Sequence, residues 1–573
     1  VTGSDIQTGP LDTPQLLAAA RAWLAQDPDP ETRDELQSLI VAAEAGSAVA
    51  IADLHARFDT RLEFGTAGLR GEIAAGPNRM NRVLVSQAAA GFARWLLEHS
   101  DGAQPSVVIG YDGRKNSDVF ARDTAELMAG AGVRAVLLPR LLPTPVLAFA
   151  VRHLDMSAGV MVTASHNPPD DNGYKVYLGG VNHGSQIVSP TDAQIEARIL
   201  QVAQGDIRDL PRSEQYEVAS GDVEAAYIEA TAAVATTTAP RDAVSFAYTA
   251  MHGVGWRTAE AVFERAGFST AAVVLEQRDP DAAFPTVSFP NPEEPGAMDL
   301  AFATGRAAGV DLIIANDPDA DRLAVAIPDD SADGFRRLSG NEVGALLGWR
   351  AAELAERTST AGGAFGTLAC SIVSSPALAA VAAAYHLDFA DTLTGFKWVS
   401  RAPGLIFGFE EALGYLVNPK TIRDKDGISA ATAFLDLANE LAASGRTIAD
   451  HLDAFAERFG YFASDQISLR VTDLSRIGEI MAALRSTPPN RLGEVAVDHI
   501  DDLRDGFGAL PPSDVLRIVL ADGSRVMVRP SGTEPKLKIY IDASSDEGDV
   551  AARRATATAR VAALAAAMRE LIA

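Results

Sequence analysis

The sequence predicts an α/β protein of three consecutive α/β domains with mixed, largely parallel sheets, followed by a smaller C-terminal α+β domain. Length is the first reason: 573 residues exceed one core, and roughly one domain per ~150 residues gives about four. The second is alternation, because short apolar strand-like runs are separated by stretches with helical spacing, the pattern of parallel sheets with crossover helices. The third is a change near the end. "VLRIVLADGSRVMVRP" sets an Asp-Gly turn between alternating strands, a hairpin signal.

Taken in order, "PQLLAAARAWLA" and "ETRDELQSLIVAAEAG" carry apolar residues at helical spacing and predict a helical segment over 1–55. The strand-like runs "SVVIG", "RAVLLP" and "GVMVTA" then alternate with helices, predicting an α/β domain over 56–215. A second α/β block, 216–338, opens with "DVEAAYIEATAAV" and "VSFAYTA" and reaches "VDLIIANDPDADRLAVAIP". The third, 339–458, carries "GLIFGFEEALGY". The α+β domain spans 459–573 and ends in an Ala-rich amphipathic helix around Val561, Leu564, Met568 and Leu571.

Composition narrows the function. The formal net charge is -27, which argues against nucleic acid or an anionic membrane as partner. It does not exclude an anionic substrate, since a Debye length of about 8 Å screens distant carboxylates and leaves local charge to decide. No apolar run approaches the ~20 residues of a membrane span. The first residues lack the basic and apolar regions of a signal peptide, so a cytoplasmic protein is expected. A single cysteine, Cys370, excludes an internal disulfide and reads as a small buried apolar side chain.

Four loops carry chemistry. In "VTASHNPPDDNGYKVY", residues 162–177, Ser165 follows a buried strand and precedes turn residues, so it stands at a strand's carboxyl end, where open α/β sheets bind ligands. The competing reading is a capped turn. In "NDPDADR", Asp317, Asp319 and Asp321 alternate in a tight loop, and carboxylates that close need a cation; hard oxygen ligands of this kind suit Mg²⁺. An EF-hand is excluded, because its sixth position is Arg322 and its twelfth Pro328. An aspartyl-phosphate phosphatase and a solvated acidic turn stay open at this point. In "VRPSGTEPKLKIY", Arg529, Ser531, Gly532 and Thr533 offer a guanidinium, two hydroxyls and backbone N–H groups to a phosphate dianion. "GFEEALGY" sets Glu410 and Glu411 at a strand end, where paired carboxylates can accept hydrogen bonds from a sugar diol. "FGTAGLRGE" adds a glycine turn with Thr66 and Arg70.

Together these supply a hydroxyl nucleophile, a divalent-metal cage, a phosphate cradle and a diol acceptor. "TASHNP", "DPDADR", "GFEEALGY" and "RPSGTEPK", in this order and spacing, resemble the α-D-phosphohexomutases, the family of phosphoglucomutases and phosphomannomutases, from about residue 60 onward. The resemblance implies an active site in a central cleft and a mutase that interconverts hexose 1-phosphate and hexose 6-phosphate through a sugar 1,6-bisphosphate. Ser165 would be carried as phosphoserine and, with Asp317, Asp319 and Asp321, would hold Mg²⁺; glucose 1,6-bisphosphate would be activator and intermediate. Arg322 matches a residue that steadies the phosphoryl group. Arg70, His166 and Lys175 resemble the basic residues around the nucleophile, with Lys175 the leading general acid/base and His166 the second; a lysine serves only if its pKa falls toward neutrality. Thr66, Thr394 of "TGFKW", Lys425 of "RDKDG", Glu410 and Glu411 would contact substrate, and Arg529, Ser531, Gly532 and Thr533 would grip the phosphate that is not reacting. Many hexose mutases have Ser where Ala412 stands here. That wording is closer to the phosphoglucomutase-2/phosphopentomutase-like branch, so phosphopentomutase and glucose-1,6-bisphosphate synthase are the alternatives. A non-enzymatic sugar-phosphate sensor would tolerate loss of Ser165 or an Asp, and this chain keeps all four.

Overall fold

The computed structural model describes residues 11–66, 68–100, 102–332, 334–358, 365–471, 475–508, 510–530 and 536–572. They form two compact units, and the chain visits each more than once. The first unit holds Val1–Ala235, Ser245–Leu323 and Lys420–Thr432; the second holds Thr236–Val244, Ala324–Pro419 and Ala433–Ala573.

The first unit opens with three helices, α1 (Thr13–Gln26), α2 (Pro30–Glu44) and α3 (Ala48–Phe58). Asp12, Asp29 and Ser47 each accept a backbone N–H of the first turn that would otherwise lack a partner. Leu16, Leu36, Ile40 and Leu54 bury the shared apolar face. Next come β1 (Leu69–Glu72), α4 (Arg82–Glu98), β2 (Ser106–Tyr111), α5 (Ser117–Gly130), β3 (Arg134–Leu137), α6 (Thr144–His153), β4 (Ala158–Val162), β5 (Asp171–Leu178), β6 (Ser185–Gln186), α7 (Thr191–Val202), β7 (Glu217–Val218) and α8 (Asp222–Ala232). Their sheet runs β1-β5-β4-β2-β3-β7, with β6 on β5. β2 lies parallel to β3 and β4, while β5 returns antiparallel to β4 and β1, so the sheet is mixed. All five residues of β4 are buried, as expected of a central strand covered on both faces. Then β8 (Phe246–Thr249), α9 (Gly255–Ala266), β9 (Ala272–Val273), α10 (Asp299–Ala308) and β10 (Leu312–Asn316) follow, with β8 parallel to both β9 and β10.

In the second unit, β11 (Leu323–Asp329, joined from Ala324) pairs antiparallel with β12 (Gly334–Arg337). After α11 (Gly340–Thr358) come β13 (Thr367–Ser371), α12 (Ala377–Ala384), β14 (Asp388–Thr392), α13 (Phe396–Val399), β15 (Leu405–Glu410) and β16 (Gly414–Leu416). Their sheet has the order β14-β13-β15-β16, parallel except at its last pair. Cys370 is buried in β13, as its composition reading expects. Helix α14 (Gly427–Ala442) passes from the first unit to the second, and α15 (Ile448–Phe459) follows.

The C-terminal part carries β17 (Tyr461–Arg470), α16 (Ser475–Ser486), β18 (Arg491–Leu492), β19 (Val495–Asp502), β20 (Leu516–Leu520), β21 (Arg525–Pro530), β22 (Lys536–Ser545) and α17 (Val550–Ile572). Its sheet is antiparallel, in the order β17-β22-β21-β20-β19-β18. The expected hairpin is β20–β21, and Gly523 takes φ 81° in its turn, a conformation costly for side chains with a Cβ. One sequence expectation is corrected here. Val561, Leu564 and Met568 of α17 are buried, but Leu571 is exposed and Ile572 takes its place in the core; at 3.6 residues per turn, the fourth residue after Met568 is the one in phase. Among the described residues no helix is long and apolar enough to cross a membrane.

Candidate active site

Ser165 lies three residues beyond β4, at the strand's carboxyl end. Its φ is 53°, a left-handed backbone that a residue with a Cβ adopts at a cost of about 1–3 kcal/mol and keeps only where surroundings enforce it. Two contacts do so locally: Ser165 N–H donates to Thr163 Oγ1 at 2.8 Å, and Asn167 N–H donates to Ala164 O at 3.1 Å. The third is Arg114, in the turn after β2. Its Nη2 donates to the carbonyls of Ser165 (2.8 Å) and Asn167 (2.6 Å), and its Nη1 to those of Pro168 (2.7 Å) and Asp171 (3.1 Å). One buried guanidinium thus fixes the whole loop.

Around the Ser165 hydroxyl, Oγ donates to Asp317 Oδ2 at 3.1 Å and lies 3.3 Å from His166 Nδ1. Asp317, Asp319 and Asp321 follow β10, fully buried. The loop closes because Asp317 Oδ1 accepts Arg322 N–H at 3.0 Å, and Ala320 N–H donates to Asp317 O at 2.8 Å. Thr144 at the start of α6 holds Asp319 twice, Oγ1 to Oδ2 at 2.7 Å and N–H to the carbonyl at 2.9 Å. Lys175 of β5 donates to Oδ2 of Asp319 (2.7 Å) and of Asp321 (2.9 Å), and Lys425 reaches the same Asp321 oxygen at 2.5 Å. Arg70 Nη1 donates to Asn167 Oδ1 at 3.2 Å. Thr66 sits in the turn closed by Gly65 and Gly68, and a Cβ on Gly68 would lie 1.8 Å from Tyr174 O. Only glycine lets that turn pack beside Lys175.

Charge follows from this packing. Burial together with Asp319 and Asp321 pushes the Asp317 carboxyl well above its usual range. Burial also pushes Asp321 upward, but Lys175, Lys425 and Arg322 more than offset it and leave the group below the usual range. Burial, then Arg322 and Arg70, drives the His166 imidazole well down, so it is neutral. Lys175 sits against two of the carboxylates. Burial lowers its pKa, yet Asp319 and Asp321 outweigh burial and raise it, opposite to what a general base needs. That direction belongs to carboxylates carrying full charge, and a cation on them would invert it.

The carboxylates fit a divalent cation. Ligand atoms from all three lie within 4.8 Å of one another, and Oδ1 of both Asp319 and Asp321 is buried without a hydrogen-bond partner among the described residues. Such oxygens carry a desolvation penalty that a hard cation would remove.

The second unit holds the remaining described candidates. Glu410 ends β15, and its Oε1 accepts Gly395 N–H at 2.6 Å, which ties it to the turn of Thr394. Glu411 differs. Its Oε2 accepts the hydroxyls of Ser371 (3.1 Å) and Ser374 (3.0 Å), and Tyr540 also bonds its side chain. The two glutamates are therefore not equivalent, and Glu411 is bound into the scaffold. Arg529 stands on β21 opposite Lys538. Ser531, Gly532 and Thr533 lie outside the described residues. Arg114 and Thr144 were not anticipated from sequence; the only signal was that "YDGRKNS" also follows a parallel strand.

Models of the phosphoglucomutase/phosphomannomutase family match the chain in four consecutive parts: α/β/α domain I over 61–206, domain II over 225–330, domain III over 339–459 and the C-terminal domain over 468–566. A protein of Haemophilus influenzae named "Probable phosphomannomutase" is 55% identical over 81% of this chain and 93% of its own length. The phosphopentomutase of Mus musculus is 34% identical over 92% and 90%. A crystal structure of a phosphoglucomutase/phosphomannomutase family protein from Burkholderia thailandensis shares the fold, with a TM-score of 0.68, 20% identity, and coverage of 90% of this chain and 97% of that one. The chain belongs to the phosphoglucomutase/phosphomannomutase family of α-D-phosphohexomutases.

Proposed function

We propose that this chain is a phosphosugar mutase that interconverts the 1-phosphate and 6-phosphate of a hexose, glucose or mannose, with Ser165 carried as phosphoserine. The observation that supports this most is Ser165 Oγ, held in a left-handed turn 3.1 Å from one member of a buried three-carboxylate cluster. The domain division 56–215, 216–338, 339–458 and 459–573 belongs to the same reading, as does a cytosolic location.

In the forward half-reaction the phosphoserine P–Oγ bond breaks and a bond forms from phosphorus to a sugar hydroxyl oxygen, whose proton passes to a base while Ser165 Oγ, the leaving group, takes up a proton and becomes a hydroxyl. The returning half-reaction, from a 1,6-bisphosphate turned end for end, restores phosphoserine. Asp317, Asp319, Asp321 and Ser165 would hold Mg²⁺, which when bound neutralises charge on the transferring group. Arg322 and Arg70 supply fixed positive charge beside Ser165. His166 keeps a neutral ring at Oγ, while Lys175 carries a proton between two carboxylates; these are the two candidates for proton transfer. Glu410 would accept from the sugar, Thr66, Thr394 and Lys425 would contact substrate, and Arg529, with Ser531, Gly532 and Thr533, would grip the distal phosphate. A pentose phosphate is the second reading, favoured by Ala412 and by the phosphopentomutase relative.

Ser165→Ala tests the assignment. Turnover should fall by at least about 10³-fold, because the covalent step has no other nucleophile, and intact mass should lose one phosphate. Near-wild-type turnover would remove Ser165 from the reaction. Coupled assays with glucose, mannose and ribose 1-phosphates then decide the sugar.

A further inference from the structure

The first unit contains a cavity of about 260 Å³ that none of the residues assigned above to the catalytic site lines. Arg140, Trp256, Arg257, Arg278, Asp279 and Pro280 line it. Three arginines and one aspartate are among these lining residues, in a chain with 27 more acidic than basic residues. Arg140 is anchored by Glu224 and by its own donation to Leu141 O at 3.1 Å, and Arg278 pairs with Asp279 at 2.7 Å. Arg257 is exposed and has no ion pair or hydrogen bond among the described residues. Trp256 is half-buried, its ring set 5.2 Å from that of Tyr248.

The cavity's shape is set by the fold. His252 N–H donates to Gln277 O (2.9 Å) and Asp281 N–H to His252 O (3.0 Å), joining the two segments that form its walls. Val254 N–H donates to Pro318 O at 2.8 Å, and a Cβ on Gly253 would meet Pro318 Cα at 2.2 Å, so the floor rests on the aspartate loop. On the other side a Cβ on Gly113, beside Arg114, would come within 2.8 Å of Pro280. A rigid, preformed concave site spends little binding energy on ordering itself.

We propose that this cavity is a second binding site, for a small phosphate monoester, separate from the catalytic centre. A planar guanidinium fork matches phosphate oxygens, and the unpartnered Arg257 has its donors available. The Trp256 ring offers an apolar face to a sugar or base carried on the same phosphate. The volume suits a ligand of monosaccharide-phosphate size, below the ~300–1,000 Å³ usual for larger ligands. Free phosphate, a sugar phosphate and a nucleoside monophosphate share this chemistry.

Titration calorimetry with inorganic phosphate, glucose 6-phosphate and AMP, each added to the full-length protein, distinguishes them. At least one probe should bind an equivalent that Arg257→Glu weakens tenfold or more, that Trp256→Leu also weakens, and that Arg529→Ala leaves unchanged. The kcat/KM of Arg257→Glu, assayed without added probe, should stay within twofold of wild type. The proposal is overturned if no probe binds beyond an equivalent that Arg529→Ala removes, or if every bound equivalent survives both cavity substitutions.

Discussion

Arg114→Lys isolates the clamp that shapes the nucleophile loop. The wild-type guanidinium, 4% exposed, makes four hydrogen bonds of 2.6–3.1 Å to the carbonyls of Ser165, Asn167, Pro168 and Asp171. A lysine keeps the charge but has three donors on one nitrogen instead of a fork, so at least one carbonyl is left without a partner. Each such buried group costs about 1–3 kcal/mol. If that energy is lost from the positioned state of the loop, at about 1.4 kcal/mol per decade, kcat falls roughly 10- to 100-fold. KM should change little, since the Arg114 guanidinium is buried and bonded to loop carbonyls. The assay is steady-state mutase kinetics with intact mass to read Ser165 phosphorylation, beside Arg114→Ala titrated with free guanidinium. Partial rescue by guanidinium is the signature of a positioning role. A kcat within threefold of wild type for Arg114→Lys, in a folded protein, would refute the reasoning.

Chelation should abolish turnover, and Asp319→Asn should raise the Mg²⁺ concentration needed for half-maximal rate by roughly tenfold or more, since it removes a charged ligand; full activity after exhaustive chelation would return the three aspartates to a structural role. Glu410→Gln should cut kcat/KM by roughly 10- to 100-fold for glucose and mannose phosphates alike, because O3 and O4 exchange places when the bisphosphate turns and a hydrogen bond to a charged group contributes ~1.5–3 kcal/mol. A loss confined to one epimer would contradict that geometry. His451, stacked 4.2 Å from Trp349, is pushed down to about 4 by burial, with Arg446 and Arg350 adding to it. The unfolded chain therefore binds this proton first as pH falls: stability is intact above about 6.5 and declines toward pH 4, by on the order of 3 kcal/mol. Urea midpoints of wild type and His451→Phe across that window should converge with rising pH, and parallel curves would remove His451 as the cause.

The chemistry-bearing loops were legible in sequence because each is announced locally. An apolar run ending in Asn, Pro, Asp and Gly marks the carboxyl end of a strand whatever the rest of the chain does, so Ser165 after β4 and the aspartates after β10 could be read in advance. The hairpin at Gly523 is local in the same way. Three other features were decided by tertiary structure. Arg114 looks like any arginine in a turn until folding brings it against carbonyls 51 to 57 residues away. Lys175 meets Asp319 and Asp321 across 144 and 146 residues, and the sign of its shift is the balance of burial against those two charges. Glu410 and Glu411 are neighbours of one residue type, yet one bonds a turn amide and the other is taken up by three hydroxyls. Burial and Coulomb energy depend on distance in space, which residue type and spacing do not contain, so the kinds of groups available were written in the sequence while their partners and protonation were set by the fold.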